Sequence, residues 1–237
     1  MLPASKLLFS SLFNPVDGLP KLVAARNWWV PLGVSTVACL LGSLCFALRL
    51  DVAPQTIARM DMALAMAQVT ESDLQAAIEQ GQRIAWVVAV AKGLFWPSLC
   101  ALGIALILRT LAWLLDRPTG FMACFCAAAG GLLPWAIWHM AGGVVALGRP
   151  VVYPEQAGQL IATSLGGLGS WEGISPGWLP LLSAVDGYAL WVVLGLGLGF
   201  AAAVKMQPWK GVLWSLGLYA HHAAFTLIII PAAMPAL

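Results

Sequence analysis

The side chains able to do acid–base, metal or nucleophilic chemistry are few in this 237-residue chain: three histidines, five cysteines and ten carboxylates. His139, His221 and His222 stand inside long uncharged runs. At about 1.5 Å per helical residue, His139 lies about 15 Å from Arg149, and the His221–His222 pair about 15 Å from Gly211. All three therefore fall near mid-depth of any bilayer those runs cross. Ionisable groups there suit proton relays or ligand contacts, and Cys39 and Cys100 at a similar level would add soft metal ligands. Against a metal, no Asp or Glu stands at that depth, the adjacent histidines diverge by about 100°, and the His–His pair carries no ligand spacing. A hydrogen-bonded core histidine is the leading reading and a proton or substrate path the second. No metal and no cofactor is expected.

Other constellations divide the same way. Lys92 and Asp186 stand at the outer mouths of the second and fourth apolar runs, where they could form an ion pair, although Asp186 also suits the N-cap of the helix that follows it. Gly195, Gly199 and Ala203 recur every four residues and leave one helix face flat enough for close packing, within the chain or between copies, with packing inside the chain preferred. The Gly195-x-Gly197-x-Gly199 spacing follows no soluble strand and is not a phosphate loop. Cys124 and Cys126 read as buried packing residues rather than an acylation site or thiol switch. Nucleophile-elbow, zincin and P-loop motifs are absent from the sequence, as are paired mid-depth carboxylates, so an enzyme is not expected.

The elements that must position these groups follow from composition. Hydrophobic residues make up 61% of the chain and charged ones 9%, with a mean hydropathy of +0.87; a soluble domain carries about 25% charge. The expected architecture is all-α, a single polytopic membrane domain over residues 1–237 with the lipid bilayer as its solvent and no nucleic-acid partner. Five spans are read at about 28–48, 92–115, 121–148, 187–204 and 211–234. Residues 1–27, with Leu7, Leu8, Leu12 and Phe13 broken at Asn14-Pro15, form a cytoplasmic or interfacial amphipathic segment, or a docking arm for a partner. Between spans one and two, the Thr70-Glu71-Ser72-Asp73 box starts an outer helix that is able to run into span two. Lys92 and Arg109, about 25 Å apart on a helix, are placed at opposite interfaces of that span. Asp116 to Gly120 form a tight polar turn, and Pro134 puts a kink inside span three. The connection 149–186 is the least legible segment, with Trp171 and Trp178 spaced like interface anchors.

Five spans place the termini on opposite sides. The N-terminal face then collects seven cations and two acids, net +5, and the other face five cations and eight acids, net −3. The cation excess puts the N-terminus in the cytoplasm and the C-terminus outside. The five cysteines fall in apolar runs with no CxxC pair and are expected to be reduced.

The order of these pieces resembles the Yip family of five-span membrane proteins, in particular its bacterial branch. The resemblance rests on Phe13-Asn14-Pro15 ahead of span one, the Glu71–Val90 helix entering span two, Pro134 in span three, and Val185-Asp186-Gly187-Tyr188-Ala189-Leu190-Trp191 opening span four. It implies a bacterial inner-membrane protein. Eukaryotic members interact with Ypt/Rab GTPases, but no long head with a Tyr-Gly-Pro signature precedes span one, which argues against that partner. Some bacterial relatives look like accessory subunits beside MacB-type ABC exporters. The expected function is a non-enzymatic accessory or scaffold subunit of another membrane protein; the alternative is a small transporter or lipid-moving protein with a path past the mid-depth histidines and the Pro134 bend.

Overall fold

The computed structural model describes residues 4–57, 70–153, 160–161, 163–164, 182 and 185–224. Its principal helices are α1 (Ala4–Phe13), α2 (Pro15–Ala24), α3 (Trp29–Ala47), α4 (Glu71–Leu114), α5 (Phe121–Gly131), α6 (Leu133–Leu147), α7 (Gly187–Ala203) and α8 (Pro208–Ala224). Among the described residues the only β pairings are two isolated bridges. Helices α3 and α4 and the segment Phe121–Leu147 are long and apolar enough to cross a membrane, and α7 is a shorter apolar helix. The chain is therefore an all-helical protein of membrane-embedded character. Residues 225–234 of the fifth expected span, and Trp171 and Trp178, lie outside the described residues.

Local chemistry accounts for where the helices begin and end. At the start of α4 the Thr70 hydroxyl and backbone N–H both donate to Asp73 Oδ2, at 2.6 and 3.0 Å, which fixes the first turn. From there α4 runs unbroken for 44 residues, about 66 Å. The outer polar segment and the second span are one helix. Left-handed residues follow α2, α4 and α7, namely Arg26, Asp116 and Lys205 with φ of 51°, 53° and 54°. Behind each, the next amide reaches back five residues: Asn27 to Leu22, Arg117 to Ala112 and Met206 to Ala201. That is the bonding of a Schellman stop. The Asp116–Gly120 turn also serves the end of α7, because Thr119 Oγ1 donates to the Ala203 carbonyl and Arg117 Nη1 to that of Lys205.

Pro134 lies inside the 27-residue apolar segment Phe121–Leu147, beside the break between its two helices. The chain turns at Leu132, and Pro134 is the second residue of α6. A proline ring clashes with the carbonyl four residues back, here that of Gly130, and lacks an N–H. Both costs vanish when the helix restarts just ahead of it.

The chain forms two compact units. One comprises residues 1–36, 97–138 and 162–237. In it Val23 of α2, Ala105, Leu108 and Ala112 of α4, Cys124 to Ala128 of α5, and Phe200 of α7 share a core. The α1–α2 pair is built into this unit. Gly18 lies flat on the Ser10 backbone, and a Cβ on Gly130 would stand 2.8 Å from Leu19 and 2.9 Å from Leu22. Leu7, Leu19 and Leu22 are buried while Phe9 and Phe13 stay exposed, with ring centroids 4.5 Å apart. Residues 4–24 are thus an amphipathic helical hairpin seated on α5, not a free arm.

The other unit comprises residues 37–96 and 139–161. Glycines set its helix contacts: a Cβ on Gly42 would stand 2.6 Å from the His139 carbonyl oxygen, and one on Gly93 2.5 Å from Leu40 Cα. Above these contacts the Val152 N–H donates to the Arg49 carbonyl and the Asp51 N–H to that of Val152, at 2.8 and 3.0 Å, while Gln82 Nε2 donates to the Leu50 carbonyl. Ala146, Val152, Leu160 and Phe46 pack beneath this junction.

Two predictions follow from these local features. Gly42→Ala must push backbone aside and is expected to destabilise the detergent-solubilised protein by about 1–3 kcal/mol, whereas Gly103→Ala, with nothing near its added methyl, is expected to be neutral or mildly stabilising; thermal unfolding compares them. Thr70 holds the Asp73 carboxyl below its ordinary 3.8. A depressed folded value means that the cap's contribution is complete above 3.8 and is lost as pH falls through the lowered value. Hydrogen exchange in the first turn of α4, corrected for intrinsic rates, should therefore speed up on acidification, and Thr70→Val should abolish that dependence.

Candidate functional site

In the unit containing residues 37–96 and 139–161, polar side chains gather at one level. Ser43 Oγ on α3 and His139 Nε2 on α6 share a 3.0 Å hydrogen bond, its donor set by the imidazole tautomer. Ser43 is 5% exposed and Cys39, one turn earlier, is buried. The small residue beside Ser43 makes the bond possible, since Gly42 lets α3 approach the His139 backbone. Sequence reading singled out His139 but not Ser43. A serine in an apolar run is too common to signal anything, and the available sign was its place next to Gly42.

Two contacts fix the register between α3 and α4. Leu40 meets Gly93 and Leu50 meets Gln82, so Arg49, just past the end of α3, and Arg83, twelve residues into α4, stand at one level. Lys92 is nine residues farther along α4, about 14 Å below Arg83. Ser43 lies about 9 Å below Arg49, and His139 about 15 Å before Arg149 on the same count. Lys92 and Arg109 stand on this one helix about 25 Å apart.

In the other unit, Asp186 is the N-cap of α7. Its Oδ1 accepts from the Tyr188 and Ala189 amides at 2.7 and 3.2 Å, and its Oδ2 accepts the Thr163 hydroxyl at 2.6 Å. The Gly187 amide donates to the Thr163 carbonyl, so Thr163 is held at the start of the helix by both the Asp186 carboxylate and the backbone. Lys92 belongs to the other unit. The Gly195–Gly199 face packs on α5, where Cβ atoms would stand 3.1 Å from Gly131 Cα and 3.0 Å from the Ala127 methyl. Ala203 is half-buried at the end of that face. Gly197, on another side of α7, would place a Cβ 2.5 Å from Val212 Cα of α8. His221 and His222 are exposed in the last turn of α8. The three histidines thus divide between the units, and among the described residues no group of three His, Cys, Asp or Glu could hold a metal.

The Ser43–His139 distance is that of a nucleophile–base contact. Ser43 is buried and His139 half-buried, and the hydrogen bond joins α3 to α6. Such bonds contribute about 0.6 kcal/mol on average and up to about 1.7. A double-mutant cycle of Ser43→Ala and His139→Ala, read by unfolding in detergent, is expected to return a coupling in that range; zero coupling would show that the bond carries nothing. In comparison with known proteins, the chain matches no protein-family model, no curated protein and no solved structure.

Proposed function

We propose that the chain is a non-enzymatic, five-span protein of a bacterial inner membrane, with its N-terminus in the cytoplasm and its C-terminus outside, serving as an accessory or scaffold subunit of another membrane protein. The order of its segments resembles the bacterial branch of the Yip family, and that resemblance implies an exporter of MacB type as the partner. The observation that carries the reading is α4. One side of it is buried through Gly93, Pro97, Ala101 and Ala105, while large apolar residues such as Val87, Phe95 and Leu99 are exposed on it. Its first turns carry Glu71, Asp73 and Glu79 beyond the apolar stretch. A helix that outreaches the bilayer and carries these acids beyond it suits attachment to the extramembrane part of a partner. By contrast, the small-residue face of α7 is occupied within the chain.

Purification from native membranes in mild detergent tests this. A stoichiometric membrane-protein partner is expected in repeated preparations, and a chain that always emerges alone overturns the accessory role. A second reading, a transporter or lipid-moving protein, is favoured by the shared level of Lys92, Ser43 and His139. It requires flux into proteoliposomes that falls at least tenfold in His139→Ala; equal flux in mutant, wild-type and empty vesicles ends it.

A further inference from the structure

We infer that the α2–α3, α4–α5 and α7–α8 turns, all in the unit of residues 1–36, 97–138 and 162–237, form a binding surface for the headgroups of anionic phospholipids. Such binding is independent of the accessory role and needs only that the chain lie in a membrane. The three turns meet at one end of their unit. Arg117 Nη1 donates to the Lys205 carbonyl at 3.1 Å and Thr119 Oγ1 to that of Ala203 at 3.0 Å, which joins the second turn to the third. The Trp28 and Phe125 rings stand 5.6 Å apart, and Phe125 stacks on Phe121 at 5.8 Å, which joins the first turn to the start of α5. This end adjoins the apolar segment Phe121–Leu147 and the apolar helix α7, so it stands where acyl chains give way to headgroups.

Residues 21–29, 113–121 and 203–211 carry Lys21, Arg26, Arg117, Lys205 and Lys210 against the single carboxylate of Asp116, a net of +4. All five cations are exposed, and among the described residues the one ion pair is elsewhere, between Glu79 and Arg83. The helix ends do not absorb this charge. Helices α2, α4 and α7 end at this face while α3, α5 and α8 begin there, so their macrodipoles oppose one another. Two of the cations also occupy costly backbone. Arg26 and Lys205 hold the left-handed positions of their helix stops, with φ of 51° and 54°, where glycine is the usual residue. Exposed Trp28, Trp29, Trp113 and Trp209 share the same turns, the residue type that settles where headgroups meet acyl chains. Lys210 Nζ lies 5.5 Å over the Trp209 ring. Arg117 commits one of its five N–H donors to the Lys205 carbonyl, and the others are of the kind that phosphate oxygens accept. Cations interleaved with tryptophan at this level match a leaflet whose headgroups are negative. A zwitterionic lipid offers the same phosphate but brings its own ammonium, which the surplus of cations repels. A soluble polyanion would satisfy the charge and leave the tryptophans without acyl chains to cover them.

Thermal unfolding of the full-length protein in nonionic detergent with added lipid tests this surface. Phosphatidylglycerol is expected to raise the unfolding temperature by about 5 °C or more, and phosphatidylcholine with the same acyl chains by less than a third of that. Arg26→Gly combined with Lys205→Gly removes two charges while giving each helix stop its preferred residue. Without lipid this variant should unfold about where the unaltered chain does, and with phosphatidylglycerol it should lose at least half of the gain. Lys210→Gln, a change at an exposed side chain, should also lower the gain and decides the matter where the double variant folds poorly. Equal gains from the two lipids, or a gain that survives both variants in full, overturn the inference. So does the same rise with glycerol phosphate, which would assign the cations to a free phosphate, or with polyglutamate, which would assign them to an acidic protein.

Discussion

The close approach of helix backbones is the constraint on which the rest of this structure depends. Inside a bilayer the lipid tails are as apolar as leucine, so burial of aliphatic side chains gives helices little reason to associate. Dispersion contacts between surfaces that fit, and a few polar bonds, must hold them. The contacts at Gly42, Gly93, Gly131, Gly195, Gly197 and Gly211 answer that requirement, each bringing a neighbouring backbone or short side chain within the radius that a Cβ would need. Where small residues line a face, a partner helix of the chain is seated on it. Where large ones line it, as on the outward side of α4, the face is left open.

Two kinds of polar contact complete the packing. At the helix ends, side chains satisfy backbone groups that no intrahelical bond can reach: Asp186 serves the amides of α7, Thr119 and Arg117 serve its carbonyls, and Thr70 with Asp73 organises the entry to α4. In the interior, Ser43 and His139 satisfy each other.

Much of the fold was legible from composition and local signals. Charge-free runs marked the apolar helices, the Thr70–Asp73 spacing marked the start of α4, and Asp186 preceding a glycine and an apolar run marked the start of α7. These readings work because a helix satisfies its own backbone, and its limits are written in the residues at its ends. The mid-depth site was legible in part. His139 stood out because a titratable group in an apolar run is rare, whereas Ser43 did not, and His221 and His222, which the same count placed at one level with His139, lie on another unit.

By itself, the sequence determined that this chain is helical, apolar enough to lie in lipid, and bounded by particular caps and turns, because those properties depend on residues a few positions apart. Only the tertiary structure decided the pairing of Ser43 with His139, the seating of the N-terminal hairpin on Gly130, and which glycine face is already occupied. Each of these depends on the register between helices distant in sequence. That register is set by which small residues meet across the interface, and no period along a single helix records it.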